Sequence, residues 1–180
     1  MNICIVTSNT NKVSEVAEYF RGIATIEHVS MQCPEYRSSS IAEIAAKKAE
    51  YAYQVIRRPL IADDTGFFIR SLSGFPGPYA AYVHDTIGNN GILKLLEGEE
   101  DRYGWFETVI AYTDGIQIET FSGRLDGEIV SPQGKYGFGY DPIFKVNERT
   151  LAELSLEEKS RISHRGQALA AFRTWFETRD

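Results

Sequence analysis

The chain has 180 residues, 43% of them hydrophobic and 24% charged, a globular make-up that excludes extensive disorder and fits one domain over 1–180. Its formal net charge of −6 excludes broad, sequence-independent binding to duplex nucleic acid, which needs a basic face. A small anion stays within reach, because local lysines and backbone N–H groups can oppose the global charge.

The first expected element is a buried strand over residues 2–7. Its apolar run, Ile3 to Val6, is too short for a signal peptide, and no segment approaches the roughly 18 apolar residues of a membrane span. Cys4 and Cys33 have no metal-like spacing and predict no disulfide scaffold, so a cytoplasmic protein without membrane contact is expected. Val13, Val16, Ala17 and Phe20 then follow the stripe of an amphipathic helix, with Gly22 placed to end it. From Ile41 the stripe recurs as Ile44, Ala45, Ala52, Val55 and Ile56, closed by Arg57, Arg58 and Pro59. A strand over 60–63 comes next. Strand–helix–helix–strand order predicts an α/β protein.

The middle of the chain reads as antiparallel. Trp105 to Thr113 has the length and β-rich content of a strand, and Asp114-Gly115 is a hairpin signal. Alternation over Ile116 to Glu119 and a stretch near Gly123 to Val130 give further strands. The C-terminal third is expected to be helical. Thr150…Glu153 and Ser155…Glu158 have capping-box spacing, and Ala168, Leu169, Phe172 and Phe176 share one face of a last helix. Trp175 is left between core and interface. No repeat or linker divides the chain, so the expected architecture is an α/β mixed β-sheet with helices on its faces.

Five polar clusters stand out from this frame. Thr7-Ser8-Asn9-Thr10-Asn11-Lys12 joins a strand's end to a helix start, where free N–H groups and the helix dipole suit phosphate. It is not a Walker A loop, and read alone it is equally a helix start capped by Asn9 or Asn11. Asp63-Asp64-Thr65-Gly66 ends the strand 60–63, where open α/β sheets place ligands. Two adjacent carboxylates there fit a hard cation such as Mg2+, or an Asp turn before Gly66. Glu35 is a single loop carboxylate, and of the neighbours Lys47 and Lys48 only one can point at a given site. Gly134 to Pro142 alternates glycines with aromatics, suiting a flat ligand or simply a loop whose rings enter the core. Ser163 is a good N-cap, which puts His164 and Arg165 in a helix's first turn, where positive charge opposes the dipole.

Taken together and in order, these residues resemble the inosine triphosphate pyrophosphatase family (HAM1/RdgB-like). The matching motifs are Thr7 to Lys12, Pro34-Glu35-Tyr36, Ala62 to Gly66, Gly74 to Tyr79, Phe138 to Pro142, Glu158-Lys159-Ser160 and Ser163-His164-Arg165. They span nearly the whole chain, and the lack of a long insertion looks closest to the archaeal branch. The resemblance implies an elongated α/β fold, with two lobes around an active-site cleft. It implies hydrolysis of non-standard purine nucleoside triphosphates (ITP, dITP, XTP) to monophosphate and pyrophosphate, cleansing the nucleotide pool. A homodimer with one Mg2+ per subunit is implied as well.

Carried over by motif, Thr7, Ser8, Asn9, Thr10, Asn11 and Lys12 would hold the phosphates, with Lys47 as a further contact. Glu35 and Asp64 would bind Mg2+, and Asp64 would be the general base. Thr65 would touch substrate. Phe138, Gly139, Tyr140 and Asp141 would enclose the base, and Lys159, His164 and Arg165 would complete its pocket. There are departures from the family: Ser8 stands where Gly is usual, narrowing the backbone angles there. Thr65 replaces a common Ser, and Ala80 and Ala81 follow Tyr79 where Ser is frequent. Purine specificity is expected at position 6, where donors such as Arg165 would favour a carbonyl over the amino group of adenine.

Overall fold

The computed structural model describes residues 2–179. In chain order the elements are β1 (Asn2–Val6), α1 (Thr10–Tyr19), β2 (Thr25–Val29), α2 (Ile41–Ile56), β3 (Leu60–Ile69), β4 (Pro76–Gly77) and α3 (Ala80–Leu95). There follow β5 (Tyr103–Thr113), β6 (Ile118–Ile129), β7 (Phe144–Val146), β8 (Arg149–Thr150), α4 (Leu156–Ile162) and α5 (His164–Glu177). One mixed sheet runs β2-β1-β3-β5-β6-β7-β8, with the two-residue β4 against β3. Among the described residues no helix is long and apolar enough to cross a membrane.

Side-chain alternation decides which helix covers which face. Ile3, Ile5, Ile61 and Ile110 point to one side, where Val16 and Phe20 of the α1 region and Ala168, Leu169 and Phe172 of α5 bury them. Cys4, Val6, Leu60, Ala62 and Val109 point to the other, under Ile41, Ala45, Ala49 and Ala52 of α2. Parallel strands covered on both faces read as unbroken apolar runs, which is why β1 is plain in the sequence. The far halves of β3, β5 and β6 form a second lobe around Phe67, Phe106, Phe144, Ile92 and Leu96. Each fully buried apolar side chain contributes about 1.5–3 kcal/mol.

Several expectations change. A short strand, β2, stands between the first two helices; its Thr25–Val29 is largely exposed at the sheet edge and shows no clean alternation. Helix α3 was not expected either: Gly88, at φ 63° and ψ −169°, interrupts it and breaks the periodicity on which helix reading depends. The strand 60–63 runs on to Ile69, because β5 pairs with all ten residues from Leu60↔Thr113 to Ile69↔Gly104. That ladder overrides the turn propensity of Asp-Asp-Thr-Gly. The two expected stretches merge into a single strand, β6, which begins at Ile118 because Ile116 and Gln117 belong to the preceding turn. The C-terminal third is α-helical only from residue 156, after β7, β8 and two three-residue 3-10 turns, Asp141–Ile143 and Leu151–Glu153. Ala17 and Val55 face solvent, while Glu15 is buried within the α1 stripe. Both capping boxes form. Trp175 packs half-buried, edge-on to Tyr112 with ring centroids 5.2 Å apart.

Candidate active site

A cleft of about 910 Å³ opens between the lobes. It exists because β1 stops at Val6 and meets β3 only at Ile5↔Ile61, while β4 pairs with β3 only at Phe67 and Phe68, so the β3 edge from Ala62 to Gly66 has no strand beside it. The β1–α1 loop, Glu35, α2, α3, the 138–141 loop and the start of α5 wall in this gap.

Asp63 and Asp64 point to opposite faces of β3, as alternation requires, and each finds its own cations. Asp63 lies on the α1–α5 side, with Lys12 Nζ and Arg165 Nη2 each 3.1 Å from its Oδ2. Burial would raise its carboxyl, but Lys12 and Arg165 outweigh that and hold it at about 2. Asp64 lies on the α2 side, where Lys48 Nζ donates to Oδ1 at 2.6 Å. Its Oδ2 is buried and has no hydrogen-bond partner among the described residues. Burial pushes Asp64 above the usual carboxylate range although Lys48 pulls the other way. The pair are therefore two groups with divergent affinities for a proton, the arrangement expected where one carboxylate braces and the other reacts. Neither sits at a strand's end as expected; both lie mid-strand, at an edge that opens where β1 ends.

Lys48, not Lys47, enters the cleft. Helical geometry turns neighbouring residues about 100° apart, and Lys47 points outward to Glu43 at 2.5 Å. In the opening loop, Asn9 is the N-cap, its Oδ1 accepting from Asn11 N at 3.0 Å, and Thr7 Oγ1 accepts from Asn9 N. Thr7, Ser8, Asn9, Asn11 and Lys12 line the cleft; Thr10, the first residue of α1, is exposed and off the lining. Ser8 adopts an ordinary backbone angle, since the non-glycine positive φ values among the described residues fall at Arg57, Ser73 and Asn147. The loop accepts Ser at that position without strain.

The 138–141 loop is built around a buried carboxylate. Asp141 Oδ2 accepts from Phe138 N at 2.8 Å and from Lys159 Nζ at 2.5 Å. Gly137, at φ 74°, is required here, because an added Cβ would lie 2.2 Å from that same oxygen. Phe138 stays half-exposed on the lining with the Lys159 ammonium 4.6 Å from its ring centre, a flat platform backed by a cation. Gly139 lines the cleft beside it. Tyr140 also lies on the cleft lining, while its ring packs into the core, 4.5 Å from Phe67 between ring centroids, and its hydroxyl donates to Ala80 O.

Glu15 is the residue the sequence reading missed. It is 5% exposed and bridges Lys159 at 2.6 Å and Arg165 through a short contact. Burial would raise its carboxyl, yet Arg165 and Lys159 hold it at about 2. Its only sequence signal is its place three residues after Lys12 and next to Val16, on a stripe that should be apolar. Arg165 is thus held by Glu15, Asp63 and Thr65 rather than free to reach a base. His164 is 4% exposed and stacks on Phe106 at 4.8 Å. Burial and the Arg165 charge drive its affinity for a proton well down, so it is neutral. The dipole penalty expected for two cations at this helix start therefore does not arise: one is uncharged and the other is paired.

For a divalent cation, the fit rests on Asp64 Oδ2, an orphaned buried oxygen, with Glu35 exposed on the same lining. Carboxylate oxygens suit a hard cation, and no group of three or more His, Cys, Asp or Glu among the described residues is placed to hold one. Two carboxylates with waters and ligand oxygens match Mg2+, which favours such partial protein shells.

Lys12 and the helix-start N–H groups on one wall, Lys48 with the Asp64 carboxylate on another and a ring platform on a third define a cleft for a phosphorylated, flat ligand. The chain belongs to the Ham1 family, which matches residues 3–175. It is 45% identical over 179 residues to the dITP/XTP pyrophosphatase of Thermococcus kodakarensis, covering 97% of each chain. It is 46% identical to that of Methanopyrus kandleri, covering 98% of this chain and 96% of the relative. These relatives bear out the likeness to the archaeal branch. Among solved structures, a HAM1 protein from Coxiella burnetii superposes with a TM-score of 0.85 at 34% identity, covering 98% of this chain and all of the other. The Ham1 protein of Staphylococcus aureus gives 0.81 at 30%, covering 97% and 98%.

Proposed function

We propose that this protein hydrolyses ITP, dITP and XTP to the nucleoside monophosphate and pyrophosphate, clearing non-standard purines from the cytoplasmic nucleotide pool as a Mg2+-dependent homodimer. The relatives named dITP/XTP pyrophosphatase support the reaction. The observation that carries the chemistry is Asp64, a cleft-lining residue with one carboxylate oxygen on Lys48 and the other buried and unpartnered among the described residues.

In this reading the triphosphate lies along the β1–α1 loop. Lys12 and the N-terminus of α1 offset its charge, and the Thr7 and Asn9 side chains brace the loop itself. Glu35 and Asp64 would hold Mg2+, which when bound supplies neutralising charge to the phosphates. Asp64 accepts a proton from the water that attacks the α-phosphorus, a task that its raised proton affinity favours over Asp63. The base stacks on Phe138, whose loop Asp141 and Lys159 hold shut at its root.

The deciding assay follows pyrophosphate and IMP release from ITP with Mg2+, beside dATP, GTP and ATP. Turnover of ITP to pyrophosphate with ATP nearly inert is expected. Orthophosphate release would place the cut at the wrong phosphate, and ITP binding without turnover would make the protein a sensor.

The two lysines give a sharper check on the site. Lys48→Met is expected to lower kcat/KM for ITP about 10- to 100-fold, matching the roughly 1.5–3 kcal/mol of a charged hydrogen bond. Lys47→Met removes an exposed i,i+4 pair and a contact with the Tyr36 ring and should leave kcat/KM near the parent value. Steady-state kinetics on both variants decide it; equal losses would contradict this placement of the lysines.

A further inference from the structure

Helix α3 carries a polar residue where its packing asks for an apolar one. Val83 and Ile92 lie nine residues apart, about two and a half turns, so an unbroken helix would put them on opposite faces. Both are nonetheless buried in one core, with Ala80 and Leu96. The break at Gly88 restores the phase. Its φ of 63° lies in the left-handed region, and open space surrounds the place of a Cβ, so the backbone angle rather than crowding calls for glycine. Beyond the break, Asn89, Ile92 and Leu96 follow at i, i+3 and i+7, one face of a helix, and Asn89 is its polar member.

Asn89 turns its amide toward the loop that carries the ring platform. Nδ2 donates to Gly139 O at 3.1 Å, while Oδ1 is buried with no hydrogen-bond partner among the described residues. Exchanging the two amide atoms would set oxygen against oxygen, so this orientation is the one that bonds. A buried acceptor left unpaired destabilises a fold, and an apolar side chain at this position would remove that penalty. The residue suits the holding of Gly139 better than it suits packing.

Gly139 has little else to hold it. Its neighbours in the 138–141 loop have their own anchors: Phe138 N–H and Lys159 meet on Asp141, and the Tyr140 hydroxyl reaches Ala80 O. Gly139 sits at φ 62°, with nothing beyond its chain neighbours within 4 Å of the place of a Cβ. The Asn89 bond is its one hydrogen bond among the described residues. Gly139 lines the cleft directly after Phe138, whereas Asn89 stands behind the loop and off the lining.

We propose that Asn89 is a positioning residue for the purine: its amide, re-aimed by the break at Gly88, holds Gly139 O and so fixes the tilt of the Phe138 platform on which the base stacks. The inference rests on the proposed function for its ligand, a purine nucleotide, and adds a residue that touches no substrate. The bond acts on the base and is remote from the α-phosphorus. Its loss removes binding common to ground and transition states, which appears in KM and spares kcat.

The test compares the parent with Asn89→Leu, which joins the apolar face, and Asn89→Asp, which keeps the shape and loses the donor. The first arm is amide hydrogen exchange and 15N relaxation on the free protein, without nucleotide or metal. Gly139 is expected to lose order in both variants, and Asn89→Leu to unfold at no lower temperature than the parent. An equally ordered Gly139 in both overturns the clasp, and a marked loss of stability in Asn89→Leu makes the amide a packing element and overturns it as well. In the second arm KM for ITP should rise about 3- to 10-fold in each variant, one lost neutral hydrogen bond, with kcat within about 2-fold of the parent. Inorganic tripolyphosphate, which has no base to place, should inhibit all three proteins alike. An unchanged KM overturns the proposal. So does tripolyphosphate inhibition that weakens in step with KM, since that marks a loosening of the whole cleft. If the parent protein fails to turn over ITP, the proposed function fails, while exchange and relaxation still decide whether Asn89 holds the loop.

Discussion

Replacing Asp64 by asparagine is expected to lower kcat for ITP by at least about 100-fold, the scale of a general base, while the protein still folds. Asparagine keeps the shape and keeps an acceptor for Lys48, but it cannot take a proton and is a weak ligand for a hard cation. The geometry singles out Asp64 over its neighbour. Asp63 Oδ2 is bonded by Lys12 and Arg165 and its carboxyl is held at about 2, which makes it a poor base. Each of the two keeps one buried oxygen without a hydrogen-bond partner among the described residues, but of the pair only Asp64 is pushed up by burial. Single-turnover kinetics with circular dichroism as the folding control measure the effect. A near-normal chemical step in folded Asp64→Asn would remove Asp64 as the base.

Glu15→Gln should cost about 3–5 kcal/mol of folding stability, the range for breaking a buried ion pair from one side. The parent network sets Lys12, Arg165 and Lys159 against Asp63, Glu15 and Asp141, and all but Lys12 are buried. Glutamine leaves one cation of that group without a counter-charge, in surroundings where water cannot screen it. The pH dependence gives a second reading of the same effect. The Glu15 carboxyl titrates ordinarily at 4.5 and is held at about 2 in the fold. Its stabilisation is therefore complete above pH 4.5 and is lost as the pH falls toward 2. Denaturant titrations should show a constant gap between parent and variant at neutral pH that narrows below pH 4.5. A gap that persists unchanged at low pH would mean that lost packing, not lost charge, causes the destabilisation.

How much of this site was legible depended on how local its signal was. The strand β1, the last helix and both capping boxes follow from short-range rules, apolar runs and side chains that cap nearby N–H groups, and they stand where expected. The β1–α1 loop, Phe138, Lys159 and the His164–Arg165 pair were recognisable as a set because their order along the chain resembled one family. Lys47 and Lys48 show the limit. Adjacent residues on a helix differ by a rotation that becomes meaningful only once Ile41, Ala45 and Ala52 are packed on the sheet. Glu15 and Asn89 were hidden for a related reason. Each is a polar residue at an apolar register position, and its partners lie far along the chain: Arg165 is 150 residues from Glu15, and Gly139 is 50 from Asn89.

The sequence by itself determined the residue types of the cleft, the α/β class and the elements whose hydrogen bonds close within a few residues. Tertiary structure alone decided that Asp-Asp-Thr-Gly is strand rather than turn, since ten rungs of pairing with β5 outweigh a local preference. It alone decided which cations brace each carboxylate, because that depends on which helix lies over each face of β3. It also decided that Arg165 is a buried counter-ion rather than a free donor. A charge takes its role from the groups that desolvate it and pair with it, and those come from α1, β3 and β5, parts of the chain that only folding brings beside α5.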